Sequence, residues 1–248
     1  MEGKREREPV YILKYLLFII LFIFAYLCTL LLGAGLFSSA FPAMSAYTPA
    51  VTPTQTERPI VVLDAGHGGI DSGCTSEGVE EKYLNLSLAR YVAEYLILYD
   101  VDVIMTRTED VSLHEAGASS RKRSDVQTRV KIAREAGNPL FVSIHMNSFP
   151  AEKFRGFQVF YSRNNPKSEA LALQIENLVD TKLPEAKCRN SKSAGSNVFV
   201  LDRLECQAVL IECGFLSNDQ DRKLLTNGAY QRKLAFVIAR AIAIQAYS

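Results

Sequence analysis

The sequence predicts an α/β domain, a single layered unit on a mostly parallel central sheet, preceded by a transmembrane helix. Three observations lead there. From residue 59 onward, short apolar runs rich in β-branched residues alternate with stretches of helical period, the pattern of strands joined by crossover helices. The chain has 248 residues, 48% of them hydrophobic, enough for one sizeable core but hardly for two full domains. Near the N-terminus, residues 15–36 (YLLFIILFIFAYLCTLLLGAGL) run for 22 positions without a charge, long enough to cross a hydrocarbon layer about 30 Å thick.

The elements follow in chain order. Residues 1–14 carry Lys4, Arg5, Arg7 and Lys14, and no basic residue follows the apolar run until Arg58. This asymmetry puts residues 1–14 in the cytoplasm, makes 15–36 a single-pass anchor and sends the remainder outside. The competing reading is a signal peptide cleaved near Ser38-Ser39-Ala40, but such signals have apolar cores of only about 7–15 residues. Residues 37–58, rich in Ala, Ser, Thr and Pro without periodicity, read as a tether to a domain over 59–248. Within that domain, strands are expected at 60–63, 101–106, 140–145, 156–161, 198–201 and 208–211. Helices are expected at 82–99, around 128–136, at 168–183 and at 230–247, where apolar residues recur close to every 3.6 positions.

Composition narrows the function classes. A net charge of +1 gives no sign of a nucleic-acid partner. The five cysteines, Cys28, Cys74, Cys188, Cys206 and Cys213, include no CxxC pair, which excludes a disulfide scaffold or a zinc finger but leaves a single bridge open.

In layered α/β domains function collects beyond the strand ends, and three ends carry unusual residues. The run at 60–63 leads into Asp64 and His67 within LDAGHGGIDSG; 140–144 leads into His145 and Asn147; 208–211 leads into Glu212. Two of the three histidines sit at such ends, and the third, His114, falls in a polar loop. An acid opens the helix after the glycine loop, either Glu80 or Glu81. Two imidazoles and one carboxylate from separate elements form a common ligand set for catalytic zinc, which keeps a fourth position for water. Zn²⁺ lowers the pKa of water toward about 7 and polarises a carbonyl, and Glu212 is placed to take up and return the proton. The glycine loop lacks the GxGxxG and GxxxxGK[ST] spacings, so a nucleotide site is not expected.

LDAGHGGIDSG, EKYLNL, TRTED, TRVKIA, FVSIHMNS and VLIECGFLSN occur in this order over about residues 59–247. In order and spacing this set resembles the zinc-dependent N-acetylmuramoyl-L-alanine amidases of the third amidase type. The basic insert SSRKRSDVQTRVKIA, the block SIHMNSFPAEKFRGFQVFYS and the N-terminal anchor are most similar to the germination-specific spore-cortex amidases, as is the lack of a visible wall-binding module. The resemblance implies a twisted sheet of about six strands flanked by helices. It implies zinc ligands at His67, Glu81 and His145, with Glu81 chosen over Glu80 because the family acid directly precedes a lysine, and a catalytic glutamate at Glu212. Asp64 and Asn147 are expected to orient ligands or substrate.

The implied reaction is hydrolysis of the amide between the lactyl group of N-acetylmuramic acid and L-alanine of the peptidoglycan stem. In the spore cortex this step precedes formation of muramic δ-lactam, with a deacetylase acting downstream and a protein partner or the anchor supplying localisation, in the spore intermembrane space for a sporulation protein. Ala65 stands where the family commonly has proline, and Cys74 and Cys213 stand where small or apolar residues are usual. Each thiol is expected near the metal as a wrong ligand or an oxidation liability. The alternatives are a zinc metallopeptidase of similar fold and a non-catalytic wall-binding protein.

Overall fold

The structure, a computed structural model, describes residues 8–37, 57–137 and 139–248, in two compact units, Met1–Gln55 and Thr56–Ser248. In the first, helix α1 (Glu8–Phe37) covers the apolar run. Its described side chains, Lys14 and Leu16 to Thr29, are exposed except for half-buried Cys28. Among the described residues no helix is long and apolar enough to cross a membrane. The expected cytoplasmic flank over 1–7, the cleavage site at 38–40 and the tether between 38 and 56 lie outside the described residues.

The second unit is built on a six-stranded sheet. Its strands are β1 (Ile60–Ala65), β4 (Asp102–Met105), β5 (Leu140–Asn147), β6 (Gln158–Tyr161), β7 (Lys192–Ser193) and β8 (Ala208–Phe215). The spatial order is β4-β1-β5-β8-β6-β7. The first four are mutually parallel, β6 runs antiparallel to β8, and β7 is parallel to β6. Strands β2 (Thr75–Ser76) and β3 (Val79–Glu80) form a separate hairpin. Its turn takes positive φ at both Glu77 (51°) and Gly78 (75°), the twist that a two-residue hairpin favours.

Side chains alternate across the sheet, and each face has its own core. Val61, Leu63, Val142, Ile144, Val209 and Ile211 pack with α2 (Glu81–Leu98), α4 (Lys167–Lys182) and α7 (Gly228–Ala246). Val62, Phe141, Ala208 and Leu210 pack on the other face against α3 (Arg121–Glu135) and the short α5 (Phe199–Arg203). Strand burial on both faces is what makes the central strands read as continuous apolar runs. Helix α6 (Asp219–Leu225) completes the second unit.

The four long helices of this unit fall where period 3.6 places them, with α3 starting earlier, at Arg121, behind the Ser120 cap that accepts a bond from Arg123 N. One strand expectation fails. Residues 198–201 are not a strand; α5 occupies them, and the sixth strand is β7, two exposed polar residues. Strands β5 and β8 each run beyond the expected end, to Asn147 and Phe215, so that Glu212 lies within β8 as His145 lies within β5.

Candidate active site

Strand register places the first components. Asp64 stands beside Ser143, and Ser143 beside Leu210; two residues further along, on the same face, His145 stands beside Glu212. All therefore point to the side covered by α3 and α5. His67 comes from the loop after β1, and Glu81 is the first residue of α2, delivered from the opposite face over the strand ends. The hairpin β2–β3 sets that helix start, because Glu81 N donates to Cys74 O and Lys82 N to Ser72 O.

His67, Glu81 and His145 converge, each offering a ligand atom, with these atoms within 4.8 Å of one another. Glu81 Oε1 lies 3.3 Å from His67 Nε2 and 3.0 Å from His145 Nδ1. Ligand atoms about 2.1 Å from a tetrahedral ion lie about 3.4 Å apart, so the spacing fits zinc. The donor chemistry fits as well. His67 Nδ1 shares its proton with Asp71 Oδ2 at 2.9 Å, which leaves the Nε2 lone pair facing Glu81 and fixes the ring's orientation. Glu81 also accepts bonds from Met146 N, Asn85 Nδ2 and, through Oε2, Cys74 N. Burial alone would raise its carboxyl, but the His145 and His67 imidazoles hold it far below the usual carboxylate range. The His67 ring is disfavoured as a cation by burial, yet Glu81 and Asp71 more than offset this and raise its pKa.

Glu212 differs from Glu81. Its Oε2 is shielded from solvent and has no hydrogen-bond partner among the described residues. Burial pushes its carboxyl up to about 7, opposed by the His145 imidazole and reinforced by the negative Glu81. A carboxyl that exchanges its proton near neutrality and faces a metal-ligand cluster is suited to general acid–base chemistry.

Close packing leaves no room for side chains on one wall. A Cβ on Gly66 would lie 2.2 Å from His145 Nε2. His67 itself takes φ of 59°, a left-handed conformation uncommon outside glycine. Two buried arginines hold this loop. Arg107 donates to the carbonyls of Ala65, Gly66 and Lys82. Arg129 donates to those of Ala65 and His67 and pairs with Asp64 and Asp125.

These contacts place the other residues that the sequence singled out. Asp64 does not orient a ligand directly: it is buried against Arg129, Thr106 and Ser143, and its carboxyl stays ionised despite burial because of them. Asn147 Oδ1 accepts from Ser148 N, a local turn bond. The residue that orients His67 is Asp71, four positions along the same glycine loop. Its signal was an acid within the loop that follows a candidate ligand; Arg107 and Arg129 stood in the TRTED and TRVKIA motifs without a role. His114 is half-buried in its loop and outside the cluster. Neither Cys74 nor Cys213 belongs to the ligand group. Cys74 Sγ faces the Met146 and Asn147 carbonyls at 3.9 and 3.8 Å, and burial together with Glu81 keeps it a thiol. All five cysteines are unbridged.

Comparisons with known proteins agree with this geometry. A family model described as N-acetylmuramoyl-L-alanine amidase matches residues 61–244. The germination-specific N-acetylmuramoyl-L-alanine amidase of Bacillus subtilis (strain 168) is 34% identical over 186 residues, covering 74% of this chain and 78% of that protein. The N-acetylmuramoyl-L-alanine amidase AmiA of Salmonella typhimurium is 28% identical over 237 residues, covering 78% of each. Among solved structures, the CwlD amidase of Clostridioides difficile, in complex with the GerS lipoprotein, matches with a TM-score of 0.72. It is 32% identical and covers 76% of this chain and 98% of its own. The catalytic domain of CwlV from Bacillus (Paenibacillus) polymyxa var. colistinus matches at 0.64, with 31% identity over 74% of this chain and 96% of its own. On sequence and fold, the chain belongs to the N-acetylmuramoyl-L-alanine amidase family.

Proposed function

We propose that this chain is a zinc-dependent peptidoglycan amidase that cleaves between the lactyl group of N-acetylmuramic acid and L-alanine. The observation that carries the reading is the pairing of a convergent His67–Glu81–His145 group with a Glu212 whose buried Oε2 has no hydrogen-bond partner among the described residues, in the neighbouring strand. His67 Nε2, a Glu81 carboxylate oxygen and His145 Nδ1 would hold the ion. When bound, Zn²⁺ supplies a Lewis acid that polarises an amide carbonyl and makes water nucleophilic at neutral pH. Glu212 takes a proton from the attacking water as its oxygen bonds to the lactyl carbonyl carbon. It returns that proton to the L-alanine nitrogen as the C–N bond breaks. Asp71 and the Arg107–Arg129 pair keep the His67 loop in place through this sequence.

The test is Glu212→Gln. It should retain zinc by elemental analysis while its rate of stem-peptide release from muropeptides falls by about 10²-fold or more. Near-normal release in that variant, or products cut within the peptide instead of ahead of L-alanine, would overturn the assignment.

The biological setting belongs to the same proposal. Similarity to a germination-specific amidase and to CwlD supports action on spore cortex, upstream of a muramic acid deacetylase and δ-lactam formation. The latter structure, an amidase with a lipoprotein, supports a protein partner here as well. The uncharged run over 15–36, flanked by Lys4, Arg5, Arg7 and Lys14, supports on sequence grounds a membrane anchor with the catalytic unit outside the cytoplasm. Full-length protein should stay in the membrane fraction through alkaline carbonate washing, and removal of residues 1–36 should release it. Release of the full-length chain would refute the anchor.

A further inference from the structure

Helix α7 packs between α2 and α4, and its inner side enters the core through Leu234, Val237, Ile238 and Ile242. Beyond its first two residues, its exposed side chains are Arg232, Lys233, Phe236, Arg240 and Ile244, continued by the cap residue Tyr247. From Lys233 onward the spacings of three and four make one stripe, in which every member is cationic or apolar. The helix holds no acid at all, whereas a solvated helix face ordinarily carries both signs of charge. Phe236, Ile244 and Tyr247 are 44, 48 and 58% exposed. Tyr247 Oη donates to the Tyr99 and Asp100 carbonyls, which joins the stripe to the end of α2, where Ile97 and Leu98 are also exposed. Contiguous exposed apolar groups of this kind mark interaction surfaces.

The neighbouring elements do not neutralise the stripe. Glu94 of α2, Glu169 and Asp180 of α4 and Glu185 beyond it are the exposed acids flanking α7, and Arg90, Lys167, Lys182 and Lys187 match them in number. Asp100 and Asp102 are bridged by Arg58. The three α7 cations therefore leave this face net positive. A cavity of about 360 Å³ opens beside the stripe between α4 and α7. In it Lys182, Lys233 and Arg240 surround Leu178, Phe236 and Val237, with Glu185 the one acid among the described lining residues.

We propose that the outer face of α7 docks on the surface of an anionic phospholipid bilayer, with Lys233 and Arg240 against lipid phosphates and Phe236, Ile244 and Tyr247 among the headgroups. The inference rests on the anchor reading, which puts the second unit beside a membrane. Cations interleaved with apolar side chains suit a bilayer interface, where anionic headgroups and the acyl boundary lie side by side. A soluble acidic polymer would use the cations and leave the apolar members of the stripe in water. Docking through α7 also leaves the candidate active site open, because His145 and Glu212 point to the other side of the sheet, the one covered by α3 and α5.

The chain contains no Trp, so Phe236→Trp gives the full-length protein a single fluorescent reporter. In vesicles of brominated phosphatidylcholine and phosphatidylglycerol its emission should be quenched relative to the same vesicles without bromine. Phe149→Trp, a reporter of similar exposure (49%) in the loop after β5, should keep its emission. Omitting phosphatidylglycerol, raising the salt concentration or adding Lys233→Glu/Arg240→Glu should remove most of the quenching at Phe236. The charge-reversed variant should still release stem peptides from soluble muropeptides at the unaltered rate, which shows that it is folded. Quenching no greater at Phe236 than at Phe149, in a chain that floats with the vesicles, would overturn the proposal and favour a protein partner for this face. Quenching that is indifferent to the anionic lipid would overturn it as well. A chain that fails to float with vesicles of either composition would instead sink the anchor reading, and this proposal with it.

Discussion

At Gly66 a single methyl group decides whether the site exists. An added Cβ would sit 2.2 Å from His145 Nε2, and neither the strand that carries the histidine nor the loop held by Arg107 can yield without moving a ligand. Gly66→Ala should therefore lose zinc and activity, with a stability cost of about 1–3 kcal/mol from overpacking. Gly78 provides the control, because a Cβ there meets nothing within 4 Å and only its φ of +75° is strained. Gly78→Ala should cost about 1 kcal/mol and keep both metal and activity. Equal zinc content in the two variants would refute the steric argument. The same scale explains which site residues were legible. His67, His145 and Glu212 announce themselves as polar residues closing apolar runs, a signal carried by local sequence. The two arginines act through loop carbonyls, which have no sequence signature, whereas Asp71 acts on the His67 ring from within the same loop.

Between elements, the Asp64–Arg129 pair ties β1 to α3 beneath the catalytic loop. Arg129→Ala would leave a buried carboxylate without its counter-charge, at a cost of about 3–5 kcal/mol. The pair also gives stability a pH dependence of known sign. Asp64 has a folded pKa below its unfolded value, so its contribution is complete above about pH 4 and is lost as pH falls through the folded value. Denaturation of wild type and Asp64→Asn should show a gap that is constant at neutral pH and narrows in acid; parallel curves down to acid pH would refute this role. Elements also show where sequence reading stops. Residues 198–201 (VFVL) look like a strand because a short apolar run has no period to read. They form α5 because Ser162 Oγ and Asn164 Nδ2 donate to its Leu201 and Asp202 carbonyls, bonds from a segment about 40 residues away. Strand β7, two exposed residues, has no hydrophobic pattern at all. The long helices and central strands were legible because burial imposes period 3.6 or continuous apolar runs on them.

For the whole molecule, a candidate ligand set drawn from β5, α2 and the loop after β1 would couple metal binding to global stability. Zinc at a hundredfold excess over its Kd should stabilise the folded chain by about 2.7 kcal/mol, read as a rise in melting temperature. His67→Ala should abolish that rise and Cys74→Ser should preserve it, since the thiol faces backbone carbonyls outside the ligand group. A lost response in Cys74→Ser would place sulfur in the metal sphere. The site is also asymmetric in what it lets mutation explore. On the glycine-loop side, Gly66 and Gly73 pack directly on His145 and Glu81, so almost any new side chain there erases the enzyme. On the α3 side, Lys122, Arg123 and Asn197 stand at the surface and hold up no core. A laboratory library can sample that wall while the packed glycine-loop side stays fixed, which makes α3 the evolvable half of the site.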